Sequence, residues 1–340
     1  MIPKPGLHVN TECLTKPSLS RKTDSSTRIS LTRYQIMNIA KSLTSTTLLS
    51  GVMLLTACTT FATPAANPNA DKQTATNTVE FQQIRNATIK LDYAGTTFLV
   101  DPMLAAKNAY PGFADTLNSQ IRYPMVDLPV SVAEVLKADA IILTHLHADH
   151  WDDAARNLVP RNMPIFTQNE ADAATVRKDG FTDVRVLTEQ GVVFKGTRIN
   201  KTIGQHGTDE MYKVPALAQA LGKTMGIVFQ KPNYKTVYVV GDTIWNKEVE
   251  NALTRYKPDA VILNTGYAKL STFVDDSIIM GKDDVYRAYQ FSPNAQIINV
   301  HMDTVNHGAL SKAELRRFIE QKHLDKQRTL VPDDGQYYKF

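Results

Sequence analysis

Five short apolar runs in this chain each give way, within three residues, to a side chain that can hold a cation. Phe98-Leu99-Val100 leads to Asp101, Ala140-Ile141-Ile142-Leu143 to His145, and Thr202-Ile203 to His206. Val237-Tyr238-Val239-Val240 leads to Asp242, and Ile297-Ile298-Asn299-Val300 to His301. Runs this short, rich in β-branched residues, read as buried strands. Strand ends on one edge of a sheet converge in space, so residues far apart in sequence can meet there. The pattern demands a layered α/β body whose sheet rim carries polar chemistry.

The second run is the most specific. It opens onto Thr144-His145-Leu146-His147-Ala148-Asp149-His150, four metal-capable side chains within six residues. With 8 His in 340 residues, a chance match to that spacing is on the order of 10⁻⁴. Imidazole and carboxylate are the donors that borderline divalent cations prefer, so one or two ions of Zn²⁺, Mn²⁺ or Fe²⁺ are expected. The two cysteines, Cys13 and Cys58, lie ahead of all five runs. They can build neither a disulfide framework nor a thiolate zinc site for the body.

The chain divides into a leader over residues 1–58, a tether over 59–78 and a catalytic domain over 79–340. In the leader, Leu48-Leu49-Ser50-Gly51-Val52-Met53-Leu54-Leu55 follows Arg33 and Lys41 and is too short to span a bilayer comfortably. It ends in Leu55-Thr56-Ala57-Cys58, which resembles the lipobox of bacterial lipoproteins. Cys58 would then be lipidated, and the protein would sit on the periplasmic side of a bacterial envelope, attached to the membrane by its anchor. An ordinary signal cleaved near Ala57 or Ala62 is the alternative. Met37 could start a signal of normal length, leaving residues 1–36 as an upstream extension. Residues 59–77 are small, polar and broken by proline, as a flexible tether is. The formal charge of +4 is concentrated in the first forty or so residues, so no nucleic-acid surface is indicated.

Within the body, strands are expected over 80–85, 88–92, 96–100, 138–143, 164–167 and 183–187. Further strands are expected over 192–194, 198–203, 225–230, 236–240, 260–263 and 296–300. Helices are expected over 131–137, 169–178 and 247–256. Another opens at the capping box Ser311-Lys312-Ala313-Glu314 and runs to about 322. The long polar connection after Asp101-Pro102, running to Pro129, reads as a flap near the site.

The order His145-x-His147-x-Asp149-His150, then His206, then Asp242, then His301 resembles the metallo-β-lactamase superfamily. Gln205-His206-Gly207, Gly241-Asp242-Thr243 and Val300-His301-Met302 are most similar to its L-ascorbate-6-phosphate lactonase-like branch. The resemblance covers about residues 79–335 and implies a four-layer αββα sandwich with the site at the strand edge between two sheets. It implies that His145, His147 and His206 hold one ion, that Asp149, His150 and His301 hold a second, and that Asp242 bridges them. Asp149 and Asp242 become the catalytic carboxylates, Asp149 also orienting the nucleophile. His307 competes with His301 in His301-Met302-Asp303-Thr304-Val305-Asn306-His307, and His301 is favoured because it ends the strand. Asp101 is expected to orient a ligand histidine rather than to be a ligand.

Such a centre activates water towards a carbon or phosphorus electrophile. Two ions, two carboxylates and a hydroxide leave a net charge of about +1, which favours a small anionic or ester-type substrate. The expected reaction is hydrolysis of a lactone, ester or phosphodiester. Arg122 and Tyr123 in the flap, Asn264 after its strand, and His307 are expected to face the substrate, and Trp151 to pack beside the motif. The competing reading is a non-catalytic lipoprotein that holds metal as a binding or scaffold protein.

Overall fold

The computed structural model describes residues 77–340; the leader, Cys58 included, and nearly all of the tether lie outside the described residues. Six strands come first: β1 (Glu80–Arg85), β2 (Thr88–Tyr93), β3 (Thr96–Val100), β4 (Ala140–Ile142), β5 (Ile165–Thr167) and β6 (Val184–Val186). Then follow β7 (Val192–Phe194), β8 (Thr197–Gly204), β9 (Thr224–Gln230) and β10 (Val237–Val239). The last are β11 (Ala260–Asn264), β12 (Gln296–Val300), β13 (Thr329–Leu330) and β14 (Tyr337–Lys339). They form two seven-stranded sheets, ordered β14-β1-β2-β3-β4-β5-β6 and β13-β12-β11-β10-β9-β8-β7. The helices are α1 (Val132–Val135), α2 (Asp153–Leu158), α3 (Glu170–Lys178), α4 (Asp209–Tyr212), α5 (Pro215–Leu221), α6 (Lys247–Tyr256), α7 (Lys282–Phe291) and α8 (Lys312–Gln321).

Side-chain alternation turns these elements into four layers. Successive strand residues point to opposite faces. Thus Phe98, Val100, Ala140 and Ile142 enter the core between the sheets, where they meet Ile227, Phe229, Ala260 and Ile262. Phe98 and Phe229 lie with ring centroids 5.0 Å apart across that seam. The alternate residues Leu99, Ile141 and Leu143 face outward and are covered by Val135, Ala155 and Val176 of α1, α2 and α3. Val261 and Leu263 are covered in the same way by Val249, Val285 and Leu315 of α6, α7 and α8. Each such fully buried aliphatic side chain contributes roughly 1.5–3 kcal/mol. The arrangement is the αββα sandwich expected of the sequence.

Caps fix the helix starts. The side chains of Asn169 and Asn246 accept from the first-turn amides of α3 and α6, and Ser311 and Glu314 close a reciprocal box on α8. The helix expected over 131–137 is a single turn: Leu136 N–H still bonds the Val132 carbonyl, but Lys137 N–H turns back to Glu134 and the ladder ends there. Helices α2, α4, α5 and α7 and strands β13 and β14 are additions to the sequence reading. For α5 the signal is legible, with Pro215 at its first position and Gly222 just past its end.

Strand direction places the site. β3, β4, β5 and β6 are mutually parallel, as are β10, β11, β12 and β13, so their C-terminal ends share an edge. β8 and β10 are both antiparallel to β9, which brings the end of β8 to that same rim.

Candidate metal centre

Every apolar run singled out above delivers its polar residue to this rim. The centre holds three overlapping groups whose donor atoms lie within 4.8 Å of one another: His145 with His147 and His206, His145 with His150 and Asp242, and Asp149 with His150 and His301. Asp242 Oδ2 stands 3.1 Å from His150 Nε2, 3.6 Å from His301 Nε2 and 3.7 Å from His206 Nε2. Asp149 Oδ2 stands 3.3 Å from His301 Nε2 and 3.6 Å from His150 Nε2. All of these side chains are buried except that of His147, which is half-buried.

A ring of acceptors fixes the imidazoles. His150 Nδ1 donates to Asp101 Oδ2 (2.8 Å), and His206 Nδ1 donates to the Ile278 carbonyl (2.9 Å). His147 does the same through Nε2, to the Ala220 carbonyl in α5 (2.8 Å). His145 Nδ1 lies 3.1 Å from Thr144 Oγ1, which in turn donates to Asp101 Oδ2. Once one nitrogen of a neutral imidazole carries a hydrogen, the other presents a lone pair. These bonds therefore aim His150 Nε2, His206 Nε2, His145 Nε2 and His147 Nδ1 as acceptors, which is what a cation needs. Asp101 accepts two bonds from Thr144 and one from His150, and so fixes His150 directly and His145 through Thr144.

Burial opposes the ionisation of Asp149 and Asp242, yet His150 and His301 outweigh it and hold both carboxyls well below their ordinary range. Burial likewise opposes the His150 cation, but Asp242, Asp149 and Asp101 together hold it well above 6.5, and a metal ion would take the place of its Nε2 proton. His206, further from that balance, is pushed down to about 4 by burial. A buried cluster of this kind fits divalent ions on two further observations. His145 Nε2, which the Thr144 contact leaves facing the cluster, is buried without any hydrogen-bond partner. The Nε2 atoms of His150 and His301 lie only 3.2 Å apart, close to the spacing of about 3.3 Å for two nitrogens on one tetrahedral ion.

Backbone geometry is spent on the same rim. Asp101 and His301 both take left-handed φ values, 47° and 66°, a conformation that costs a non-glycine residue roughly 1–2 kcal/mol and concentrates at functional sites. Gly266 is required beside His301, because a Cβ there would lie 2.2 Å from the His301 carbonyl oxygen.

A cavity of about 630 Å³ opens onto His147, Asp149, His206 and Asp242. Its outer wall comes from three connections: the flap at Phe113 to Thr116, the α4–α5 segment at Val214, Leu217 and Leu221, and the 270–278 loop at Leu270, Phe273 and Ile278. Among the described residues, no lysine or arginine lines it. His307 does line it, edge-on to Phe113, and burial pushes its imidazole down to about 4. The other expected substrate contacts lie elsewhere. Arg122 is exposed, its guanidinium occupied by the Asn108 and Ala109 carbonyls of its own loop. Tyr123 is buried behind Phe113, stacked on it at 4.4 Å. Asn264 donates to Asp242 Oδ1 (2.6 Å) and so steadies that carboxylate instead of facing the cavity. Trp151 is buried against Phe181, as a packing residue. Two features had no sequence signal that was used: Asn86, in the β1–β2 turn, and the apolar wall.

Comparison with known proteins gives concordant results. Residues 96–302 match the β-lactamase superfamily domain. The UPF0173 protein YddR of Bacillus subtilis is 43% identical over 259 residues, 76% of this chain and 98% of the relative. Among solved structures, an isothiocyanate hydrolase from Delia radicum gut bacteria is 46% identical with a TM-score of 0.74, covering 77% of this chain and 99% of that one. A possible metal-dependent hydrolase from Veillonella parvula is 48% identical with a TM-score of 0.75, covering 76% and 98%.

Proposed function

This chain belongs to the metallo-β-lactamase superfamily and, within it, to the UPF0173 metal-dependent hydrolases, and on that premise we propose that it hydrolyses isothiocyanates bearing an apolar substituent. The observation that carries the proposal is the cavity. An apolar wall free of lysine and arginine abuts the ligand cluster directly, which suits an uncharged molecule with a hydrophobic tail and a small electrophilic head. The likeness to an isothiocyanate hydrolase supports the same head group.

His145, His147 and His206 would hold one divalent ion, and Asp149, His150 and His301 a second, with Asp242 between them. Ions bound there supply an acidified water and polarise the electrophile. In the overall reaction, the water oxygen bonds to the central carbon of R–N=C=S and the C=N π pair moves to nitrogen. Nitrogen then takes a proton, giving R–NH–C(=S)–OH, whose hydroxyl proton shifts to sulfur to give the thiocarbamic acid R–NH–C(=O)–SH. Breaking its C–N bond, with proton transfer from sulfur to nitrogen, releases R–NH₂ and carbonyl sulfide. Asp149 and Asp242, held ionised, would balance the charge of bound ions and offer oxygens to an incoming water. His307, uncharged at neutral pH, offers a hydrogen-bonding nitrogen beside the substrate. Phe113, Leu217 and Phe273 seat the substituent and exclude bulk water.

Lactone and ester substrates with apolar acyl chains would use the same wall, whereas a phosphodiester head finds no basic partner there. The test is a panel on protein loaded with Zn²⁺ or Mn²⁺: benzyl and methyl isothiocyanate, an aliphatic lactone, an aryl ester and an aryl phosphodiester. Benzyl isothiocyanate should be preferred over methyl by at least about tenfold in kcat/KM, and Leu217→Asp should erase that preference. Phosphodiester or lactone turnover without isothiocyanate turnover would refute the proposal.

We further propose that the chain is exported and anchored through Cys58, as its lipobox-like segment implies. Labelled palmitate should be incorporated by cells making the wild-type chain and not by cells making Cys58→Ser. Equal labelling of the two would refute the anchor.

A further inference from the structure

The turn between β1 and β2 reaches the metal centre although it holds none of the ligands. Asn86, fully buried in that turn, takes a left-handed φ of 50°. Its Nδ2 donates to the Asp149 carbonyl (3.1 Å) and lies 3.4 Å from Asp149 Oδ2 and 3.5 Å from His301 Nε2. Its own carbonyl accepts from the His301 N–H (2.9 Å) and from Gln83 Nε2 (3.0 Å). One residue thus grips two of the three ligands in the Asp149, His150 and His301 group, including a histidine whose backbone is itself left-handed.

The other group is held from elsewhere. His147 is fixed by the Ala220 carbonyl, His206 by the Ile278 carbonyl and His145 by Thr144. Among the described residues, no hydrogen bond joins Asn86 to His145, His147 or His206. Asn86 thus supports Asp149 and His301 from the first hairpin, His147 and His206 are held by segments that wall the cavity, and Asp101 is shared, bonding His150 directly and His145 through Thr144.

We infer that Asn86 is a positioning residue that sets the affinity of the Asp149, His150 and His301 half for a second ion, independently of the first half. The inference rests on the metal-dependent reading of the site. Orienting partners of metal ligands typically alter affinity by about 10- to 100-fold. Here the effect should fall on one ion of the two.

The test is metal binding by the full chain, free of activity measurements. Apo-protein is titrated with Co²⁺ and followed by its visible absorption, and Zn²⁺ content is measured after desalting. Asn86→Gly removes the side chain while keeping the carbonyl, and glycine tolerates the φ. Asn86→Ser serves the same purpose if the glycine variant does not fold. Asn233→Gly, at a left-handed position (φ 68°) in the β9–β10 turn, is the control. Wild type and the control should take up two equivalents. The Asn86 variants should keep one tight equivalent, with the second weakened by at least about tenfold. Two equivalents at wild-type affinity, equal weakening of both, or a single equivalent in wild type would each overturn the inference. A wild-type chain that binds no ion would overturn both the inference and the metal-dependent reading beneath it.

Discussion

Changing Asp242 to Asn should lower kcat/KM by at least three orders of magnitude, about 4 kcal/mol of transition-state stabilisation. The carboxylate is buried and lies within 3.7 Å of three imidazole nitrogens, those of His150, His206 and His301, and would help hold both ions. Its negative charge is held against burial by His150 and His301. An amide of the same shape keeps the volume but removes that charge, and it turns either a neutral oxygen or an N–H towards the imidazoles. Its other end would meet Asn264 Nδ2, now 2.6 Å from Oδ1. Metal content should fall along with activity, which separates loss of the ions from loss of a proton carrier. Asn264→Ala should act in the same direction and more weakly, by about 10- to 100-fold, because it only steadies Asp242. His145→Ala, which removes a ligand outright, should match the larger effect. Isothiocyanate turnover within tenfold of wild type in Asp242→Asn, with the variant folded, would remove Asp242 from the chemistry.

What the sequence could disclose of this centre follows from how its parts are encoded. Asp101, His145, His206, Asp242 and His301 sit just beyond apolar runs, and strand direction carries each to one rim, so local pattern was enough to find them. The alternation in Phe98-Leu99-Val100 and in Ala260–Leu263 likewise encodes two cores, one on each side of a sheet. Single-turn and amphipathic helices were harder. α4 and α7 start without a side-chain cap of their own from Thr208 or Gly281. Arg122 misled for a different reason: a charged residue in a flap suggests a ligand contact, but carbonyls of the same loop occupy it. Asn86 gave no sign, because a turn asparagine is ordinary and its importance comes from what lies across the sheet rim. Nor could the cavity wall be read, since Leu217, Leu270 and Phe113 come from three connections that only the tertiary fold assembles.

The second large effect expected is on backbone packing. Gly266→Ala should destabilise the protein by roughly 3 kcal/mol, lowering Tm by roughly 6–12 °C for a body of this size. The glycine follows β11 and packs its α-carbon against the end of β12. A methyl group there would lie 2.2 Å from the His301 carbonyl oxygen and 3.6 Å from His301 Nδ1. The obstructing atom is backbone and cannot swing aside. Gly266 cannot retreat freely either, because its carbonyl accepts from both Ala309 N–H (2.9 Å) and Leu310 N–H (3.0 Å). The strain therefore passes to His301, whose left-handed backbone is tied to Asn86 on its other side. A shift of about 1 Å in a reacting group can reduce rate by about 100-fold, so activity should fall at temperatures where the variant remains folded. Gly308→Ala is the matched comparison: the nearest atoms to its added methyl would be 3.5 and 3.6 Å away, ordinary contact distances. It should melt and turn over like wild type. If both alanine variants behaved alike, the close approach at Gly266 would not be what holds His301 at the rim.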